Sequence, residues 1–143
     1  MPALRAFCIQ FEKLHPIAVT CRAGDEVGTV DAAAALCLYR IAQEALHNVA
    51  KHADARRVDV VLTRTADAVH LSIADDGKGF DLSGERGRGA GLGLVSIDER
   101  VRLLHGSVHI VTQPRGGTHV QVQVPQVQEA QQPRDAPLGS ARP

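Results

Sequence analysis

The sequence has no net charge: sixteen basic residues stand against sixteen acidic ones among its 143. That balance removes the broad basic surface with which nucleic-acid binders neutralise phosphates, so any anionic ligand must be held locally. Cysteine is scarce. Cys8, Cys21 and Cys37 are an odd number at wide spacing, which excludes a metal knuckle or a close redox motif in the sequence and predicts reduced thiols in a cytosolic protein. No apolar run reaches the roughly eighteen residues a membrane span needs, and the N-terminus lacks the basic-then-apolar pattern of a secretory signal. A cytoplasmic location with no membrane contact is expected for this stretch, whether or not a longer parent chain is membrane-anchored. No internal repeat is present. Beyond Pro125 hardly a large apolar side chain remains, so residues 126–143 are expected to form a disordered tail. The chain is 44% apolar, which suffices for one core, placed in residues 1–125.

Hydrophobic periodicity organises that span. Leu4, Phe7, Cys8, Phe11 and Leu14 recur at three- and four-residue spacing and predict a helix over Pro2 to Leu14, ended by Pro16. Ile17 to Thr20 reads as a short strand, followed by a turn at Gly24-Asp25-Glu26 and Gly28. With Asp31 as N-cap, Ala32 to Ala53 is helical, its stripe being Leu38, Ile41, Ala42, Ala45 and Val49. Arg57 to Thr63 and Ala68 to Ala74 are expected to pair as antiparallel strands. Asp75 to Gly93 holds seven glycines in nineteen residues, and predicts a long loop. A helix with Leu94, Ile97, Val101 and Leu104 on one face follows, stopped at His105-Gly106. Val108 to Val111 and Thr118 to Val124 are the last strands. The fold expected is α+β, a two-layer sandwich with helices over one face of a mixed, mostly antiparallel sheet.

Three polar or glycine-rich segments carry chemistry. Asp75-Asp76-Gly77-Lys78-Gly79-Phe80 follows a strand; a carboxylate there can accept from an exocyclic amine, and glycines let a flat ring approach the backbone. An ordinary Asp-Gly turn has the same wording. Gly87-Arg88-Gly89-Ala90-Gly91-Leu92-Gly93-Leu94 leads into a helix, where backbone N–H groups make an anion site without a basic surface; a flexible linker is the plainer alternative. The loop is neither a Walker motif nor placed as a dinucleotide-binding turn. Glu44, Asn48, Lys51 and His52 fall together on the flank of the apolar stripe. An amide such as Asn48 can ligate magnesium beside phosphates, Glu44 can orient or deprotonate a nucleophile, and Lys51 and His52 can contact phosphates. A solvated helix flank is the plainer reading of these four.

In this order the segments resemble the N box (Tyr39 to Ala53), the G1 box (Asp75 to Phe80) and the G2 box (Gly89 to Leu94) of histidine-kinase ATPase domains. That superfamily also includes gyrase B, MutL and heat-shock chaperone ATPases. Glu44-Ala-Leu-His-Asn48, Lys51-His52-Ala53 and Ser96-Ile-Asp-Glu-Arg-Val101 resemble the nitrate-sensor-like kinases, and the likeness runs from about Phe11 to Pro125. It implies a Bergerat-type fold binding ATP and Mg2+. It further implies that Asp75 takes the adenine amine, that Gly77 and Gly79 shape its pocket, and that Asn48 ligates magnesium. Glu44 matches the superfamily's catalytic glutamate, Lys51 and His52 the phosphate contacts, Gly89, Gly91 and Gly93, with Leu92 and Leu94 between and after them, the phosphate-holding box, and Thr118 a threonine supporting the aspartate. Residues 81–90 would be the lid.

The family's acceptor histidine sits on a dimerising helical hairpin that this sequence lacks. His15 is the nearest imitation, and Pro16 would interrupt the helix that must display it. His47, His70, His105, His109 and His119 read as surface or structural residues. The resemblance therefore implies a catalytic domain of a sensor histidine kinase, a monomer by itself, with little turnover alone. It would pass the γ-phosphate to a histidine on a separate dimerisation domain and reach a response regulator indirectly. An anti-sigma-factor-like serine kinase switch of the same superfamily is the alternative.

Overall fold

The structure is a computed structural model that describes residues 2–23, 28–79 and 85–126. Helix α1 spans Pro2–Leu14. Proline suits its first turn, where an N–H would have no partner, and Leu4, Cys8 and Phe11 are its buried stripe. Strand β1 (Ala18–Ala23) follows, two residues longer than sequence alone suggests and shifted one residue onward. The predicted turn at residues 24–27 lies outside the described residues.

Helix α2 (Ala32–Asn48) begins where the Asp31 carboxylate accepts from the N–H groups of Ala33 and Ala34, satisfying two donors that a helix start leaves orphaned. Leu38, Ile41, Ala42 and Leu46 are fully buried; each of the larger three contributes about 2 kcal/mol by leaving water. At Val49–Ala53 the winding loosens into a π turn, ended by Asp54 in the left-handed region at φ 49°. Strands β2 (Arg57–Arg64) and β3 (Ala68–Asp75) then pair antiparallel, as expected.

Helix α3 spans Glu85–Leu103, which corrects the expected loop. No proline stands between Asp81 and Leu104, so nothing blocks the ladder from running upstream of Leu94 through the glycines, although each glycine costs about 1 kcal/mol relative to alanine. Of the expected lid, residues 85–90 are helical and 81–84 lie outside the described residues. Strands β4 (Ser107–Thr112) and β5 (Thr118–Pro125) are the last of the described elements. Gln126 continues past β5, its N–H donating to the Asp67 carbonyl at 2.8 Å; the rest of the expected tail, from 127, lies outside the described residues.

The five strands form one sheet in the order β1-β2-β3-β5-β4, parallel only between β1 and β2. Val58, Val60, Leu62, Val69, Leu71, Ile73, Val120, Val122 and Val124 point to one face and are buried beneath the helices. The opposite face carries Asp59, His70, Ser72, His119 and Gln121, half-buried or exposed. Strand alternation thus yields a single two-layer α+β sandwich. It also brings the C-terminal ends of β3 and α2 together with the start of β5.

Candidate nucleotide-binding site

Asp75 is the last residue of β3, paired in register with Thr118, the first of β5. Its half-buried carboxylate accepts from the N–H of Gly77 at 2.8 Å. Burial pushes its pKa up; the N–H groups of Gly77 and Thr118 oppose that, and the neighbouring Asp76 adds to it. Thr118 stands beside Asp75 through the strand pairing, while its hydroxyl lies 3.1 Å from that of Thr112.

Asp76 turns the other way. Its Oδ1 accepts from the N–H groups of Arg56 and Arg57 at 2.8 and 2.9 Å, and these bonds pull its pKa down. The turn is fixed on both sides: Lys78 donates its N–H to the Ala53 carbonyl at 2.7 Å, and the Lys78 carbonyl accepts from Arg115 at 2.6 Å. Lys78 Nζ pairs with Asp54 at 2.8 Å on the surface. A Cβ on Gly77 would press into the Ala53 carbonyl and stand 2.8 Å from Asp75 Oδ1. Gly79, at φ +58°, would drive one into the Gln113 carbonyl. The glycines therefore let three segments, 53–57, 75–79 and 112–118, close into one block.

The second half of the site is where α3 crosses α2. A Cβ on Gly93 would meet Glu44 Oε1, 3.1 Å from Glu44 Cδ and 3.3 Å from Asn48 Nδ2, so the α3 backbone rides directly on the two side chains. Glu44 and Asn48, one turn apart, are both half-buried. Lys51 and His52 project from the π turn and are exposed. Within α3 the N–H groups of Gly89, Gly91 and Gly93 belong to the helix ladder, not to an open loop. Nothing beyond the backbone is described at Leu92 and Leu94.

Of the histidines set aside, His15 lies past the end of α1 with its ring 4.5 Å from that of Phe11, and His119 hydrogen-bonds Ser72 at 2.7 Å. Sequence reasoning missed Asp76, the Ala53 carbonyl and Thr112 as parts of the site's frame. Asp76 and Ala53 sat in motifs, but nothing in the wording separates the role of Asp76 from that of Asp75 or marks the Ala53 carbonyl, and Thr112 sat in none.

A carboxylate at a strand end, a glycine turn beside it and a Glu–Asn pair under a glycine-rich helix define a nucleotide-binding ATPase class. The family model described as "Histidine kinase-, DNA gyrase B-, and HSP90-like ATPase" matches residues 33–128, and the chain belongs to that family. It is 35% identical over 123 residues to the oxygen sensor histidine kinase NreB of Staphylococcus carnosus, covering 86% of this chain and 35% of that protein. With the signal transduction histidine-protein kinase/phosphatase DegS of Bacillus subtilis it shares 38% over 91 residues, 63% of this chain and 24% of the relative. The chain thus spans about a third or less of these curated relatives. Among solved structures, the histidine kinase domain of the Erythrobacter litoralis blue-light activated kinase superposes with a TM-score of 0.70 at 20% identity, over 86% of this chain and 59% of that one. The ATP binding domain of PrrB from Mycobacterium tuberculosis gives 0.66 at 19%, over 89% and 93%. These two likenesses establish the fold.

Proposed function

We propose that this chain is the ATP-binding catalytic domain of a sensor histidine kinase of the nitrate-sensor-like group, passing the ATP γ-phosphate to a histidine on a separate dimerisation domain, from which a response regulator is phosphorylated. The observation that carries this reading is the approach of Gly93 in α3 to Glu44 and Asn48 in α2, which sets the N and G2 boxes against each other. The relatives, both named as histidine kinases, support it over the anti-sigma-like alternative.

In this reading the Asp75 carboxylate accepts from the adenine amine, with Gly77 and Gly79 keeping the turn open to a flat ring. Lys51 and His52, exposed on the π turn, contact phosphates. Gly89, Gly91 and Gly93, with Leu92 and Leu94, hold the phosphate chain, which requires the first turns of α3 to release N–H groups from their ladder. Glu44 orients the acceptor imidazole, or takes its proton. Asn48 offers one neutral oxygen to a cation, with the Glu44 carboxylate one turn away on the same helix. That donor set fits magnesium, which takes few protein ligands when phosphate oxygens supply the rest. Magnesium would neutralise charge on the phosphates during transfer.

Calorimetric titration with a non-hydrolysable ATP analogue, with and without magnesium, tests the site. Binding should weaken about tenfold to a hundredfold in Asp75→Asn, by loss of a charged acceptor, and lose its magnesium dependence in Asn48→Ala. Absence of binding by the folded parent chain would sink the reading.

A further inference from the structure

Helix α1 lies antiparallel to the edge strand β1, and three hydrogen bonds at two points fix their register. Near one end the Arg5 guanidinium donates to the Ala23 carbonyl; near the other the Glu12 carboxylate accepts from the Val19 N–H at 3.0 Å. Between these brackets Cys8, 1% exposed on the inner face of α1, faces Cys21. Cys21 sits on the core side of β1, half-buried and packed against the same cluster, in register with buried Val60. Both side chains pack into the one hydrophobic cluster between those two brackets, Cys8 from the helix and Cys21 from the strand. Cys37 is elsewhere, on α2, with its sulfur 3.6 Å from the Arg100 carbonyl of α3. No disulfide joins any of the three.

We propose that Cys8 and Cys21 form a reversible disulfide that staples α1 to β1 when the protein meets a hydroperoxide. Cys21 is the more accessible sulfur and reacts first: its thiol gives up its proton, the sulfur attacks the peroxide, the O–O bond breaks, and the leaving oxygen takes up that proton, so a sulfenic acid and water, or the matching alcohol, result. The Cys8 thiol then attacks the Cys21 sulfur, the S–O bond breaks, and the departing hydroxide takes the Cys8 proton as a second water. Two thiols are oxidised by two electrons and one peroxide is reduced. Burial raises the Cys8 thiol to about 12, so it stays protonated and does not meet the peroxide as a nucleophile itself; the hydroxide leaving Cys21 is the base that its attack uses. A low-molecular-weight dithiol reverses the bond by exchange.

The test treats the full chain with stoichiometric hydrogen peroxide, counts thiols under denaturing conditions and maps cross-linked tryptic peptides. The count should fall from three to one, with Cys37 retained and residues 6–13 joined to residues 14–22. Because the bond closes a short loop, the oxidised chain should melt roughly 5–10 °C higher, and dithiothreitol should abolish the gain. Cys21→Ser should show neither link nor gain; Cys37→Ala should show both. Three results overturn the proposal: sulfinic acid at Cys21 with a free Cys8 thiol, a link from either residue to Cys37 or to a second chain, or a Cys8–Cys21 link that lowers the melting temperature, since the native geometry would then not present the pair.

Discussion

Adjacent carboxylates in one turn are driven in opposite directions by their surroundings. Asp76, exposed, is held by two backbone N–H donors and its pKa falls; Asp75, half-buried, has its pKa raised by desolvation. The signs of their effects on stability are therefore opposite. The stabilisation from Asp76 is present above its ordinary value and is lost as pH falls through its lowered folded value. That associated with Asp75 is full below its ordinary value and is lost as pH rises through its raised folded value. Asp76→Ala, which removes the acceptor for Arg56 and Arg57, should cost about 1 kcal/mol near neutrality after allowance for solvent. The cost should shrink below about pH 4, where the unfolded chain is protonated. Asp75→Asn should leave stability near neutrality unchanged or raise it, because no charge is then buried. Urea denaturation of both variants at two pH values checks this; a loss of stability in Asp75→Asn at neutral pH would contradict it.

The elements meet through glycines, and Gly79 shows how little room their junction leaves. Its φ of +58° and the Gln113 carbonyl facing it give Gly79→Ala both backbone strain and a clash with an atom that cannot swing aside. About 3 kcal/mol of destabilisation is expected, seen as a lowered midpoint at unchanged slope in urea. Gly93→Ala should cost less, because the atom it meets is the end of a Glu44 side chain that can turn away. Much of this level was legible in the residues. Apolar spacing gave α1 to within a residue, Asp31 capped α2 as its side chain predicts, and alternation in 120–124 placed β5. The three boxes pointed to the segments that meet at the site. The start of α3 was not legible, because glycine composition argues for a loop while backbone hydrogen bonding, unopposed by proline, continues the helix. Nor was the meeting of Cys8 and Cys21: thirteen residues apart in the chain, they face each other only because α1 folds back over β1.

Across the molecule, the residues assigned to nucleotide come from elements distant in sequence: α2 at Glu44 and Asn48, the end of β3 at Asp75, the glycines of α3, and the start of β5 at Thr118. A ligand touching all of them binds the folded chain and not the unfolded one, so it should stabilise the whole domain rather than a loop. By mass action, a nucleotide at a hundred times its dissociation constant adds about 2.7 kcal/mol. For a domain of this size that amounts to roughly 5–12 °C in melting temperature. The zero net charge sharpens the expectation, since there is no basic field to gather anions at large. An ATP analogue should raise the melting temperature in proportion to the logarithm of its concentration, while inorganic phosphate at equal ionic strength should not. Asp75→Asn should lose most of the shift despite its undiminished intrinsic stability, which separates recognition of the base from folding. An equal shift in Asp75→Asn would place the adenine elsewhere, and a shift with phosphate alone would mean that the glycine helix, without the strand-end carboxylate, accounts for the binding.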